Sequence, residues 1–535
     1  MAKPAPEVIR LSPAELDALL AQLRTHLPSP VFELVQAALQ TLQWVLEAME
    51  LKTTTIARLK RVLFGFQSEK TKQLFPEPPT SATGATSADP ATPPGQKPKR
   101  RGHGRRSAQT YTGAQRLAVA HPSLHAGDRC PDCAGTLGAR EPTQVVCIQA
   151  QPLFRATLYE AQVLRCNRCQ KVFTAPLPPQ AQQAKYDPSV GDMLGLVRFG
   201  MGVPMYRTAQ WQQDLGVPLP ASTQWELMAA AAEPRQPIFQ AMIQAAAQAT
   251  LLHTDDTTMR VQSLQREIAQ AGDQAERTGI FTTGLIAKLG TGQRVALYFT
   301  GSRHAGENLD RVLQHRAAGL GPPLHMCDGL SRNGSKEFET ILCNCATHGR
   351  RQFTDVRESF PVECRQVIEE LGLVYGHDAQ AREHQLSDDQ RLHFHQEHSQ
   401  PVMDRLHQWM KDQLEHKRVE PNSGLGQAIN YMLKRWEPLT RFLKIPGAPL
   451  DNNICEQALK FAIQHRKNSL SFKTLRGALV GDFFMSVIQT CRLNRINPVE
   501  YLAALRQHAQ AALQNPAAWL PWNYRQALAA IDNTS

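Results

Sequence analysis

The sequence predicts an α/β protein in which a mixed sheet is interrupted by a long all-helical insertion and preceded by helical and cysteine-bearing segments. Three observations carry this. Between residues 249 and 326, short apolar runs alternate with turn residues and one helical stretch. Residues 357–448 read as a succession of helices. Ahead of both stand two Cys-x-x-Cys pairs.

At 535 residues and 59.6 kDa the chain exceeds what one hydrophobic core usually supports, so several domains are expected. Its 42% hydrophobic and 20% charged residues mark a globular protein, and 33 Gly with 36 Pro leave room for linkers. Lys and Arg outnumber Asp and Glu by 59 to 48, a net charge of +11 and a pI near 9.2. That balance favours a polyanionic partner such as nucleic acid. No apolar stretch is long enough to cross a bilayer, and MAKPAPEVIR lacks the apolar core of a signal peptide. The expectation is a cytosolic protein with no membrane partner.

Residues 1–75 form the first segment, expected to be helical. From residue 30 to 66, Val35, Leu39, Leu42, Leu46, Met49, Thr53, Ile56, Lys60 and Leu63 follow at alternating steps of four and three, a heptad register. It predicts a coiled coil and a homodimer or higher oligomer, with polar Thr53 and Lys60 selecting register and partner number. An amphipathic helix packed on its own domain has the same pattern. Residues 76–110 turn to Pro, Ser, Thr, Gly and Lys and end in Lys97, Lys99, Arg100, Arg101, Arg105 and Arg106, as a disordered basic linker does.

Residues 111–180 carry Cys130-Pro-Asp-Cys133 and Cys166-Asn-Arg-Cys169, separated by 32 residues with strand-like sequence from Phe154 to Leu164. Four thiolates on two tight turns can close a tetrahedron around a structural Zn²⁺, predicting a zinc ribbon. Residues 181–245 look helical. Two helices joined by a Gly-containing turn, the second starting near a Ser222-Thr223 cap, resemble a DNA-binding helix-turn-helix.

Strands are expected at Ala249–His253, Gly279–Lys288, Arg294–Thr300 and Pro323–Met326, with a helix at Glu307–His315 before the last. This order fits the front half of an RNase H-like core, its first part at 246–356. Asp255 falls just past the first strand and Asp328 just past the fourth; adjacent strands would bring these acids, 73 positions apart, to one sheet edge. A third carboxylate is expected from a later helix, opened by Leu450-Asp451-Asn452-Asn453-Ile454-Cys455-Glu456, so that Glu456 faces inward. Hard carboxylate oxygens suit two Mg²⁺ or Mn²⁺ ions, which activate a water or 3′-hydroxyl and stabilise the leaving oxygen of a phosphodiester.

Asp328 and Glu456 lie 128 positions apart, so 357–448 is read as an insertion, with helices at Val362–Leu371, Asp388–His398, Pro401–Leu414 and Leu425–Leu443. The core then resumes at 449–505, and 506–535 is a helical tail. His377, His393, His395 and His398 fall in the insertion, and the expectation there is a solvated, charged surface. His348, Arg350 and Arg351 begin the helix after a fifth strand, where cations can position a scissile phosphate. Lys460, Arg466 and Lys467 follow Glu456 and are further candidates for DNA contact.

Several ordered blocks sharpen this reading. They run from Leu63-Phe-Gly-Phe-Gln-Ser-Glu69-Lys70 and Gly102-His-Gly-Arg105, through the paired cysteines, to Leu252-His253-Thr-Asp255 and Cys327-Asp328-Gly329. Next come Cys345-Ala-Thr-His348-Gly-Arg350-Arg351-Gln-Phe353 and Asp451-Asn-Asn-Ile-Cys-Glu456-Gln-Ala-Leu, then Arg466-Lys-Asn468, Asn494-Arg-Ile-Asn-Pro498 and Tyr501-Leu502. In these blocks residues 30–505 resemble the large, TnpC-type transposase of the insertion sequence 66 family.

The resemblance implies a DDE transposase that cleaves DNA at the terminal inverted repeats of its element and joins the freed 3′-hydroxyls to target DNA. It implies Asp255, Asp328 and Glu456 at the catalytic positions with Mg²⁺, a nucleoid-associated protein of the bacterial cytosol, and small accessory transposition proteins. The chain departs from the family with Asp255-Asp256-Thr257 in place of Asp-Glu-Thr, which leaves Asp256 as a rival to Asp255. It also has Ser469 where an aromatic usually follows Arg-Lys-Asn. Two other readings share parts of the pattern: a domesticated, non-catalytic DNA-binding protein, and a resolvase or other RNase H-like nuclease.

Overall fold

A computed structural model describes residues 184–532 without a break, and shorter stretches within 13–39 and 109–182. Two compact units divide the chain, residues 78–158 and residues 1–77 with 159–535. In the smaller unit, Arg129 and Thr136 form an antiparallel bridge, and exposed Cys133 sits in the turn between them. In the larger unit, β1 (Val163–Arg165) and β2 (Val172–Thr174) pair antiparallel on either side of the second Cys-x-x-Cys. Only Val163–Leu164 of the strand-like Phe154–Leu164 run is in a strand. Cys130, Cys166 and Cys169 lie outside the described residues, as does the basic linker up to residue 108.

Helix α1 (Pro13–His26) brings Leu20 and Leu23 against Phe32 and Leu39. Leu39, expected in a coiled-coil seam, therefore packs within its own chain; the heptads beyond residue 39 lie outside the described residues. After α2 (Ser189–Gly195) and a π-helical turn (Leu196–Gly200) come α3 (Met205–Asp214) and α4 (Ala221–Ala232). These form the expected hairpin, with Gly216 at φ +72 in its turn. The expected Ser/Thr cap is absent: Pro220 precedes α4, and Ser222 and Thr223 lie inside its first turn. The hairpin is fixed instead by buried Gln224, whose Nε2 donates to the carbonyls of Met205 and Leu219.

Beyond α5 (Gln236–Ala247) lie β3 (Leu251–Thr258), α6 (Gln262–Ala271), β4 (Phe281–Lys288), β5 (Arg294–Gly301), α7 (Ala305–Leu313), β6 (Leu324–Cys327) and β7 (Ile341–Asn344). All four expected strands and the intervening helix are present. The sheet order is β5-β4-β3-β6-β7, antiparallel from β5 to β3 and parallel from β3 to β7. A strand covered on both faces is buried at consecutive positions, as Leu251–Thr254 is, with polar His253 and Thr254 among them.

Helix α8 (Ala346–Val356) leads into α9 (Pro361–Glu383), α10 (Asp388–His398), α11 (Gln400–Glu415) and α12 (Gly424–Lys434), with a further turn at Trp436–Leu439. The insertion is all-helical, and it is not a separate body. Leu371, Met403, Met410, Ile429 and Met432 share one core with Met326, Cys343 and Phe353. Its histidines differ from expectation. His395 is buried and hydrogen-bonded to Ser399 and to Asp378, whose carboxylate also pairs with Arg391 and Arg382. Burial opposes ionisation of Asp378, but His395 and the two guanidiniums outweigh it and hold the carboxyl at about 2. His393 and His398 are exposed, as expected.

The chain returns to the sheet as α13 (Asn453–Ser469) and α14 (Leu475–Leu493), then ends in α15 (Pro498–Gln507), α16 (Ala509–Gln514) and α17 (Tyr524–Asp532). Strand β5 is a sheet edge, and its outward backbone groups need partners. Side chains one helical turn apart supply them. Asp482, Ser486 and Thr490 accept from the amides of Thr300, Tyr298 and Ala296, and Asn494 accepts from Arg294 and donates back to its carbonyl. Four residues of helix rise about 6 Å and two of strand about 6.7 Å, so the two ladders keep step over four rungs. Among the described residues, no helix is long and apolar enough to cross a membrane.

Burial pushes Asp482 up to about 7, against the hydrogen bonds from Thr300 that oppose the shift. A carboxyl whose folded value is raised above its unfolded 3.8 binds its proton more tightly in the folded chain, so it stabilises most at low pH. We expect the melting temperature of the wild type to fall relative to that of Asp482→Asn as pH rises from about 4 to about 7, measured by circular dichroism. Parallel curves for the two proteins would contradict this.

Candidate active site

Strand β3 carries two consecutive acids, and the alternation of the strand sends them to opposite faces. Asp255 pairs in register with Gly284 and Asp256 with Thr283. A Cβ on Gly284 would lie 2.9 Å from Leu459 of α13, whereas Thr283 accepts a hydrogen bond from Asn308 of α7. Asp255 is therefore on the α13 face and Asp256 on the α7 face. The Asp256 carboxylate is nearly buried and fully engaged, accepting from Thr283 Oγ1 at 2.6 Å and from the Ala305 amide at 3.0 Å, with His304 Nδ1 at 3.2 Å. It fastens the start of α7 to the sheet.

Asp255 lies within β3 rather than past its end, because the strand runs on to Thr258. Parallel pairing sets His253 opposite Met326. Two further residues along each chain set Asp255 beside Asp328, which follows β6 immediately. The Asp328 carboxylate accepts from the Leu330 amide at 3.0 Å and from Asn333 Nδ2 at 2.8 Å. Its backbone is clamped by the insertion: Tyr431 Oη donates to the Asp328 carbonyl at 2.9 Å, and Arg435 donates to the Gly329 carbonyl at 3.3 Å. Gly329, at φ +81, makes the turn that this clamp grips.

Glu456 lies in the first turn of α13. Its Oε1 is buried and accepts no hydrogen bond. His348 Nδ1 is 3.8 Å away, and the Cys345 thiol completes a cluster in which all three ligand atoms lie within 4.8 Å of one another. Burial raises Asp255 to about 7, with the charges of Asp328, Glu456 and Asp256 adding to the shift against the hydrogen bond from the Asp256 amide. The three expected acids thus share one electrostatic site.

Asn452 holds these parts together. Fully buried, it contacts His253 Nδ1 through Oδ1 at 3.0 Å, donates through Nδ2 to the Thr254 carbonyl at 2.9 Å, and donates its amide to Cys345 Sγ at 3.3 Å. One residue thereby ties α13 to β3 and to the start of α8. Burial drives His253 down to about 4, so a neutral imidazole meets Asn452. Further along α13, Cys455 Sγ donates to the Gly284 carbonyl, Tyr298 Oη donates to the Ala458 carbonyl, and Arg466 donates to Thr257 Oγ1 and to the Thr258 carbonyl and hydroxyl.

The expected DNA-contact residues divide accordingly. Arg350 is buried and Arg351 half-buried, both with partners inside the chain. Arg466 is taken up by the end of β3. Lys460 and Lys467 are exposed. His348 stands against Glu456.

A family model described as Transposase IS66 family matches residues 188–479. The chain belongs to the insertion sequence 66 transposase family. That match runs from α2 into α14, spanning the sheet, the insertion and all three acids. Two proteins of Sinorhizobium fredii, each named only as an uncharacterized protein, are similar. One, y4hP, is 27% identical over 387 residues, covering 68% of this chain and 67% of that protein. The other, y4qI, is 28% identical over 239 residues, covering 41% and 42%.

Asn452, the Tyr431 and Arg435 clamp, and Cys345 beside Glu456 have no role assigned to them by the sequence reading. Asn452 is visible there within the Asp-Asn-Asn block. The Tyr431 and Arg435 spacing of one helical turn has nothing to mark it. Asn452→Ala strands the Thr254 carbonyl and the His253 ring, each a buried polar group without a partner, and should cost about 2–4 kcal/mol. A lowered urea midpoint for the transition of the 184–532 region is the expected result; an unchanged midpoint would remove Asn452 from this role.

Proposed function

We propose that this transposase uses Asp255, Asp328 and Glu456 as a DDE triad for metal-dependent cleavage and strand transfer at the terminal inverted repeats of an insertion sequence. The observation that carries the reading is the convergence of three carboxylates from β3, the end of β6 and the first turn of α13, with one Glu456 oxygen buried and unsatisfied. Burial raises the proton affinity of Asp255, and the neighbouring charges of Asp328, Glu456 and Asp256 add to it.

The donor set fits hard divalent cations. Asp255, Asp328 and Glu456 would hold Mg²⁺ or Mn²⁺, which supply Lewis acidity toward a phosphodiester oxygen and lower the pKa of an attacking hydroxyl. Cys345 is a poor rival ligand, because burial pushes its thiol up to about 11 and its sulfur already accepts the Asn452 amide. The sheet order, three antiparallel strands followed by two parallel ones beyond a helix, supports an RNase H-like core. Within it, Asn333 and the Leu330 amide hold Asp328 in place, Asn452 fixes the start of α13, and His348 borders the carboxylates. Exposed Lys460 and Lys467 are available to DNA phosphates. The helical hairpin and a Zn²⁺ ribbon on Cys130, Cys133, Cys166 and Cys169 are assigned to DNA recognition, and the heptads to self-association.

The test is incubation of the full chain with Mg²⁺ and DNA bearing the repeats that flank its gene. The wild type should nick at the repeat ends and join them to target DNA. Asp328→Ala and Glu456→Gln should lose at least ~10³-fold in rate while holding the same DNA. Strand transfer that survives Asp328→Ala would sink the triad.

A further inference from the structure

A cavity of about 840 Å³ opens between α3, α4 and the C-terminal end of α13, large for a small-molecule site yet joined to none of the three acids. Four cations line it, Arg198, Arg207, Lys467 and Lys473, and its lining holds no carboxylate. Arg198 is the informative one. It is only 9% exposed, belongs to the π-helical turn, and among the described residues makes no hydrogen bond or ion pair. Burial lowers its guanidinium only to about 10, so the group stays charged at neutral pH. Its guanidinium lies 5.4 Å from the centroid of the Phe199 ring, and a buried cation that meets this ring and an open cavity, with no carboxylate beside it, leaves a place for an anion. π-Helical turns inside helices are also frequent at functional positions.

The other walls are aromatic. Tyr206 on α3 is 61% exposed, and Trp225 on α4 is half-buried. The opposite wall is rigid: Phe199 and Phe472 line it with ring centroids 6.4 Å apart, and His465 packs against both behind them at 5.4 and 4.3 Å. The hairpin cannot drift from α13, because Gln464 and Asn468 donate to the carbonyls of Met201 and Gly202 at 3.1 and 2.8 Å.

We propose that this cavity binds single-stranded DNA, stacking an unpaired base against Tyr206 and Trp225 and taking the adjoining phosphate on Arg198 with Lys467. This deepens the proposed function and rests on it for the identity of the nucleic acid. A base within a duplex has no free ring face to offer these side chains, so the occupant must be unpaired. Lys467 and Glu456 share α13, and eleven residues of helix set them about 16 Å apart along the axis. At a rise of about 3.4 Å per nucleotide in one strand, that is about five nucleotides from the carboxylates. The cavity would therefore hold strand that has left the duplex near the cleavage point.

The experiment measures binding of a short 5′-fluorescein oligothymidylate, and of a duplex of equal length, to the full chain in EDTA by fluorescence anisotropy. The wild type should bind the single strand. Tyr206→Ala and Arg198→Gln should each weaken that binding about ten-fold, with Arg198→Lys partly restoring it, while duplex affinity changes less than about three-fold. Should Arg198→Gln fail to fold by circular dichroism, exposed Tyr206→Ala decides. A wild type that ignores the oligothymidylate, a Tyr206→Ala that binds it unchanged, or equal losses for both DNA forms would each overturn the proposal. EDTA removes cleavage from the readout. Single-strand binding that persists in a protein unable to cut would count against the triad alone.

Discussion

Asn452 is the residue on which the site depends. A buried amide must satisfy both its donor and its acceptor, and here each finds a partner on β3, while the backbone amide of the same residue reaches Cys345 at the head of α8. The three polar contacts fix the height, direction and rotation of the first turn of α13. Glu456 is one turn away, so its carboxylate has little freedom left. Without Asn452 the helix could still pack its apolar face on β3 and β4, but apolar packing is non-directional and would not choose the azimuth of Glu456.

The same helix is keyed a second time by an absence of side chain. Gly284, opposite Asp255 in the sheet, admits Leu459 and Cys455 to contact distance, and a Cβ at that position would collide with Leu459. Close approach and polar fixing act together to set three acids in a partly desolvated pocket, an arrangement that burial opposes first and the mutual repulsion of the acids second, as the raised Asp255 carboxyl records. The fold answers with hydrogen bonds to Asp328 from Asn333 and Leu330 and with the insertion's grip on the turn at Asp328 and Gly329. Because α12 shares a core with β6, β7 and α8, the insertion serves as part of the wall of the site.

The sheet was legible in the sequence because buried strands leave apolar runs of the right length between turn residues, and the insertion because its helices follow one another with short connections. The choice between Asp255 and Asp256 was less accessible. The resemblance favours Asp255, but the physical separation of the two acids turns on the register between β3 and β4, which pairs Asp255 with Gly284 and Asp256 with Thr283. Arg350 and Arg466 have the chemistry of phosphate ligands, yet Arg350 is buried and Arg466 is bonded to the end of β3, and side-chain type alone does not distinguish a structural guanidinium from a DNA contact. The α14 ladder has no signature in the sequence: Asp482, Ser486, Thr490 and Asn494 resemble ordinary polar positions until the edge of β5 is placed beside them.

Helix α13 links two chemistries through one rigid element. Its first turn carries Glu456 and its last carries Lys467, and the contacts along its length, to Gly284, Tyr298 and the end of β3, suppress rotation about the axis. A rotation by one residue, about 100°, would remove Glu456 from Asp255 and turn Lys467 away from Arg198 together. The spacing between carboxylates and cationic cavity is therefore set by helix geometry and cannot be adjusted at one end alone. A DNA strand that engages both must fit a ruler of about 16 Å, and the sequence encodes that ruler as the eleven positions from Glu456 to Lys467.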